Sequence, residues 1–257
     1  MMRRVGILGG MGPQATVLLM QKVLAAVPAR DDADHVPLIV DQNPQVPSRI
    51  RRLIEGTGED PAPVLAEMGQ RLEAAGAEAL AMPCNTAHHY AEAIRRATSV
   101  PFLDMVALSA GHAATLSGRG ARVGILASPA LRKVALFDPA FALEDLTPVY
   151  PEDDDAMLEA IRGIKAEGAN VASRAVLAAA SAELLAEGAV VQIIACTEFS
   201  LIPDAVAPGA TVFDSLDRLV VELVAFATSP AHREGTTSEL SHSGLGLAAV
   251  SDRSGPV

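Results

Sequence analysis

Short apolar runs and longer stretches with helical spacing alternate along the chain. The runs at residues 4–8, 37–41, 77–82, 123–127 and 190–195 are rich in Val, Ile, Leu and Ala, as buried strands are. Between them, residues 16–27, 63–75, 87–97, 106–116, 156–166, 171–187 and 214–227 return apolar side chains at every third or fourth position, which predicts helices. Residues 101–104 read as a further strand or turn. Strand and helix in alternation imply βαβ units and a mostly parallel sheet.

The pattern runs twice. Val123-Gly124-Ile125-Leu126-Ala127 repeats Val5-Gly6-Ile7-Leu8-Gly9 at an offset of 118 residues, after a break at Gly118-Arg119-Gly120. This predicts an α/β fold of two pseudo-symmetric tandem domains, doubly wound on mostly parallel sheets, with the active site in the cleft between them. The expected division is 1–105 plus 208–229 for the first half and 106–207 for the second, the last helix crossing back. From Pro230 onward Gly, Ser, Thr and His accumulate without periodicity, so residues 230–257 are expected to form a disordered tail.

The only two cysteines occupy corresponding places in the repeat. Met82-Pro83-Cys84-Asn85-Thr86-Ala87-His88-His89 follows one apolar run, and Ile194-Ala195-Cys196-Thr197-Glu198-Phe199 follows another, 112 residues later. Gly76 and Gly188 each lie eight residues before their cysteine. Both sulfurs thus belong at strand-to-helix turns, and the duplication predicts that they face each other across the cleft.

Composition narrows the function classes. Half of the 257 residues are apolar, aromatics are few and the net charge is −11. An acidic chain argues against nucleic-acid and anionic-membrane partners. No apolar run reaches the roughly 18 residues of a membrane span. The start, Met1-Met2-Arg3-Arg4 and then Val5–Leu8, breaks at once into glycines, too short for a secretory signal, so a cytoplasmic protein is expected. In that compartment paired thiols point to chemistry or metal rather than to a disulfide, which is the structural alternative.

Several polar positions are candidates around the sulfurs. Gly9-Gly10-Met11-Gly12-Pro13 opens a helix after the first strand, but the dinucleotide pattern GxGxxG is missing and Pro13 lacks an N–H. A tight turn, with Met11 in it, lining a pocket for a small anion fits better. Arg49 ends the rigid loop Gln42-Asn43-Pro44-Gln45-Val46-Pro47-Ser48 after the second strand, where ligands sit in parallel sheets and where a guanidinium can clamp a carboxylate; a solvated start of the next segment fits it equally. Lys165, just before Gly168, is a helix-end cap or a pocket cation, and residue pattern does not choose. The acidic run Glu152-Asp153-Asp154-Asp155 suits a helix start rather than a metal.

Elimination leaves one chemistry for paired thiols. Metal binding needs more ligands, and adjacent His88 and His89 diverge on a helix. A cysteine hydrolase has no use for a second, symmetric cysteine, and a redox dithiol normally reads Cys-x-x-Cys. Inverting a carbon centre requires a base on one face and an acid on the other, which a thiolate and a thiol supply without a cofactor. A thiol pKa near about 8.5 falls at a helix N-terminus. Asn85, Thr86 and Thr197 are the candidates to hold carboxylate oxygens beside backbone N–H groups.

On these residues the sequence resembles the aspartate/glutamate racemase family. Gly9-Gly10-Met11-Gly12-Pro13, Pro83-Cys84-Asn85-Thr86-Ala87-His88 and Ala195-Cys196-Thr197-Glu198 carry the likeness, most closely to its aspartate racemase branch, over about residues 4–228. The resemblance implies a racemase that uses no pyridoxal phosphate, two pseudo-symmetric α/β domains, usually a homodimer, and Cys84 and Cys196 as the two bases. It implies that Arg49 and Lys165 hold the substrate's side-chain carboxylate. It also implies that Glu198, where glutamate racemases carry His, tunes Cys196 and favours aspartate over glutamate. Ser128-Pro129-Ala130-Leu131 departs from the family's Thr-x-Gly-Thr run and loses its second hydroxyl, leaving a broader acidic substrate range open. A one-cysteine isomerase or decarboxylase of the maleate isomerase kind, and a non-catalytic bilobal sensor of acidic amino acids, are the competing readings.

Overall fold

The computed structural model describes residues 2–230, so most of the expected tail, residues 231–257, lies outside the described residues. Among the described residues, eight strands form two parallel four-stranded sheets. The first contains β1 (Val5–Gly9), β2 (Leu38–Gln42), β3 (Ala79–Ala81) and β4 (Phe102–Leu103) in the order β2-β1-β3-β4. The second contains β5 (Arg122–Leu126), β6 (Thr147–Val149), β7 (Val191–Ile194) and β8 (Thr211–Asp214) in the order β6-β5-β7-β8. The orders are the same strand for strand, and so is the central pairing: Ile7 lies beside Ala81 as Ile125 lies beside Ile193. β1 and β7 are buried throughout because helices cover both faces of each sheet, which is why they read as unbroken apolar runs.

The first sheet is wrapped by α1 (Pro13–Ala26), α2 (Ala62–Ala74) and α3 (Ala91–Ala97). α4 (Met105–Ser117) leads to the second sheet, whose helices are α5 (Pro129–Lys133), α6 (Asp138–Glu144), α7 (Asp154–Glu167) and α8 (Val171–Ala186). α9 (Ser215–Thr228) follows β8.

Local chemistry sets the helix starts. Pro13 occupies the first turn of α1, where its missing N–H costs nothing. Asp153 caps α7 by accepting from the Ala156 N–H, and Asp154 pairs with Arg132, so the acidic run serves a helix start. Asp104 and Asp214 cap α4 and α9 in the same way.

The structure adds elements that the hydrophobic pattern does not announce. α5 and α6 are only five and seven residues long, too short to show a period. β6 contains Pro148, which removes a ladder donor and is tolerated because β6 is an edge strand. β8 is the opposite edge and reads as the lead-in to the last helix.

α4 and α9 each join the two sheets. α4 buries Met105 beside β1 and β3, and Val106, Ala110 and Ala113 beside β5 and β7. α9 starts at the end of β8 and buries Leu216, Leu219, Val220 and Leu223 against Val5, Ile7, Ala79 and Ala81 of the first sheet. Each of those leucines removes about 1.5–3 kcal/mol worth of apolar side chain from water. Leu223→Ala is therefore expected to cost about 2–5 kcal/mol through transfer and cavity terms, read as a fall in the urea midpoint at unchanged slope.

Candidate active site

Each cysteine stands at the C-terminal end of a central strand. Cys84 follows β3 and Cys196 follows β7, the positions at which open parallel sheets carry ligands. Both are free and buried, at 8% and 7% exposure. One small cavity of about 40 Å³ is lined by both, together with Met11, Ser48, Arg49, Thr86, Ser128, Ile161, Lys165 and Glu198.

The Cys84 turn is held from behind. The His88 ring donates from Nδ1 to the Cys84 carbonyl oxygen at 2.8 Å, while its Nε2 accepts the Met105 N–H at 3.1 Å. That pair of bonds fixes the neutral tautomer, and burial lowers the His88 pKa. His89, by contrast, is exposed. Among the described residues no group of three or more His, Cys, Asp or Glu side chains is placed to hold a metal. The missed signal was the four-residue spacing from Cys84 to His88, which returns the ring to its own turn.

Asn85 does not line the cavity. Its Nδ2 donates to Ser215 Oγ at 2.9 Å, and its Oδ1 is buried without a partner. Thr86 does line the cavity, and Thr197 lines a neighbouring one.

Cys196 has a different environment. Its Sγ donates to Glu198 Oε2 at 3.0 Å, and Glu198 Oε1 lies 3.3 Å from Lys165 Nζ. Burial pushes the Cys196 thiol well above its ordinary range; the Glu198 charge and hydrogen bond add to this, and Lys165 opposes it. Glu198 is nearly buried, with 10% of its side chain exposed, and Lys165 at the end of α7 is 40% exposed. Lys165 is thus more than a solvated cap.

The first half closes over this triad. Gly10 has φ 94°, and a Cβ there would lie 2.3 Å from the Asn43 carbonyl carbon, so only glycine fits the turn. Gly12 brings the backbone so near that a Cβ would stand 3.6 Å from Glu198 Oε1. Arg49 is part-buried and folds back on its own loop, donating from Nη1 to the Val46 and Pro47 carbonyls. The segment after it is pinned by the second half: Lys133 Nζ donates to the Ile54 carbonyl at 3.0 Å and Arg162 pairs with Glu55 at 2.9 Å.

A second cavity of about 410 Å³ adjoins the first, lined by Gly10, Gly12, Pro13, Pro44, Thr197 and Leu201. Arg49, Lys165 and Glu198 line both. The inner cavity, about 40 Å³, has room for small molecules only, and a larger ligand would reach the sulfurs past the side chains that the two cavities share.

Sequence comparison places this architecture. A profile described as Asp/Glu/hydantoin racemase matches residues 8–223. The chain belongs to that family. Among solved structures, this racemase-family chain is similar to Picrophilus torridus aspartate racemase, with 26% identity, a TM-score of 0.75, and coverage of 88% of this chain and 94% of that one. An aspartate racemase homologue from Pyrococcus horikoshii OT3 (22% identity, TM-score 0.67, coverage 89% and 100%) shares the fold. So does glutamate racemase isoform RacE1 from Bacillus anthracis (18%, 0.64, coverage 87% and 80%). Broad specificity amino-acid racemase RacX of Bacillus subtilis is 34% identical over 106 residues, a match that spans 40% of this chain and 45% of that relative's length. No described helix is long and apolar enough to cross a membrane.

Where the resemblance implies a Thr-x-Gly-Thr run, Ser128-Pro129-Ala130-Leu131 opens α5. Ser128 keeps a hydroxyl at the cavity, accepting the Ala130 N–H at 3.3 Å. Leu131, at the lost hydroxyl, is fully buried with Phe137 and Phe141 and serves the core instead.

The triad predicts opposite effects from its two charges. In a Cys84→Ser background, Glu198→Gln removes the charge that raises the Cys196 pKa, so the pKa falls and the thiolate fraction at pH 8 rises. Alkylation of Cys196 by iodoacetamide is expected to quicken by about threefold or more. Lys165→Met removes the opposing cation and slows it, both rates being followed by peptide mass spectrometry.

Proposed function

We propose that the protein is a cofactor-independent racemase of acidic amino acids, aspartate favoured, in which Cys84 and Cys196 act on opposite faces of the substrate α-carbon. The observation that carries this reading is the shared cavity: two free thiols from equivalent strand ends line one space too small for anything but a compact ligand. One thiolate takes the α-proton, the electron pair stays on carbon as the carboxylate-stabilised carbanion, and the opposite thiol delivers its proton to the other face. The reverse reaction exchanges the roles.

The two sides start unequal. Cys196, buried and donating to Glu198, is the resting acid, which leaves Cys84 the role of base toward the first enantiomer. Arg49 and Lys165 are the cations for the substrate's side-chain carboxylate, and the hydroxyls of Thr86 and Ser128 face the reacting end. A dicarboxylate that draws Lys165 away from Glu198 leaves that charge uncompensated beside Cys196, which keeps the Cys196 proton in place for delivery to the carbanion. An acidic side chain thus both binds and primes the site, the reason for preferring aspartate or glutamate to a neutral substrate.

L-aspartate incubated with the enzyme in D₂O, without pyridoxal phosphate, is expected to gain α-deuterium and lose optical rotation. Cys84→Ala and Cys196→Ala should each lower racemisation by about 10²–10⁴-fold, the range of one general acid or base. Survival of the reaction after loss of one cysteine would favour the one-cysteine isomerase, and tight binding without exchange would favour the sensor. Lys165→Met is expected to raise KM for aspartate by about tenfold to hundredfold, equivalent to about 1.5–3 kcal/mol for a charged hydrogen bond.

A further inference from the structure

A buried side chain outside the cavity touches both cysteine turns. Ser215 is fully buried at the first position of α9, where that helix leaves the second sheet for the core of the first. Its Oγ accepts from Asn85 Nδ2 at 2.9 Å and donates to the Ile194 carbonyl at 2.9 Å. Asn85 directly follows Cys84, and Ile194 is the last residue of β7, two before Cys196. One hydroxyl therefore joins the backbone behind one sulfur to the side chain beside the other.

The helix cap cannot replace it. Asp214 already serves the α9 start, accepting the Leu216 N–H at 2.8 Å, so the Ser215 hydroxyl is not needed for the helix. The Asn85 side chain has no other tie, because its Oδ1 is unpartnered. Without the hydroxyl the whole Asn85 amide and the Ile194 carbonyl would be buried with no side-chain partner across the joint.

We propose that Ser215 is a positioning residue that sets the Cys84 sulfur against the Cys196 sulfur, a role that rests on the two-base reading above. Both sulfurs must address one carbon, and displacement on the order of 1 Å costs about 10² in rate. A loosened joint harms inversion more than it harms deprotonation. One thiolate can still remove the α-proton, exchange with solvent and return deuterium to the same face, whereas inversion needs the opposite thiol in line.

The test compares two rates for L-aspartate in D₂O: formation of D-aspartate, and α-deuteration with retained configuration. Ser215→Ala is expected to lower racemisation by about tenfold or more, with KM within about twofold, and to raise the ratio of retained exchange to racemisation by at least about threefold. Ser109→Ala is the control, since Ser109 is equally buried but bonds only within α4, to the Met105 carbonyl; its ratio should match the wild type. Equal loss of both rates in Ser215→Ala would overturn the proposal. Should that variant fail to fold, Asn85→Leu removes the same bond from the other end and must raise the same ratio. If the wild type neither racemises nor exchanges, the racemase reading fails, and bridging of Cys84 to Cys196 by dibromobimane decides the tie by itself. Ser215→Ala must then change the bridging rate at least about threefold, and an unchanged rate would sink it.

Discussion

The site depends on a reciprocal exchange of helices. α4 starts beside the first sheet and finishes in the core of the second, and α9 starts beside the second and finishes in the core of the first. Neither sheet can complete its hydrophobic cover without an element that also belongs to the other. Because cores are close-packed, this coupling is stiff, and the strand ends that carry Cys84 and Cys196 are held at a fixed spacing. The starts of the two helices reach the cysteine turns: Met105 through the His88 ring, and Ser215 through Asn85 and Ile194.

Duplication supplies symmetry, and single side chains break it. Cys196 has Glu198 at 3.0 Å, while the Cys84 turn has the neutral His88 behind it. Two identical buried thiols would compete equally for one proton. A carboxylate beside one of them raises that thiol's affinity for its proton, so the two sulfurs are not equivalent. Lys165 keeps that carboxylate tolerable in a nearly buried position and is itself open enough to be reached from the larger cavity. Burying the charge without such a partner would cost far more than the pair returns.

Repetition is what made much of this legible. The recurrence of Val5-Gly6-Ile7-Leu8 in Val123-Gly124-Ile125-Leu126 and the matched cysteine turns were enough to expect two parallel α/β sheets with the sulfurs on equivalent strand ends. Short elements stayed hidden because five to seven residues contain too little period, as with α5 and α6, and because edge strands such as β6 admit a proline. Polar partners were harder. Asn85 reads as a carboxylate ligand from its place beside a cysteine, yet its amide is spent on Ser215, 130 residues away, a contact that no local pattern encodes. The repeat held a hint: Leu103-Asp104-Met105 and Phe213-Asp214-Ser215 occupy the same strand-to-helix step, and only the second carries a hydroxyl.

The two cations also have different freedom, and this bears on how a ligand reaches the sulfurs. Arg49 is tethered to its own loop by the Val46 and Pro47 carbonyls, and that loop continues into a segment fastened to α5 and α7 through Ile54 and Glu55. The Arg162–Glu55 pair is a largely exposed surface bridge of small worth, about 0–1 kcal/mol. Lifting the segment gives up that pair, the Lys133 bond to the Ile54 carbonyl and the partly buried contact of Leu53, whereas parting the cores that meet at α4 and α9 would expose many apolar side chains. The inner cavity is thus easier to open by lifting residues 48–55 than by separating the halves, and such lifting leaves the sulfur spacing, fixed from behind, undisturbed.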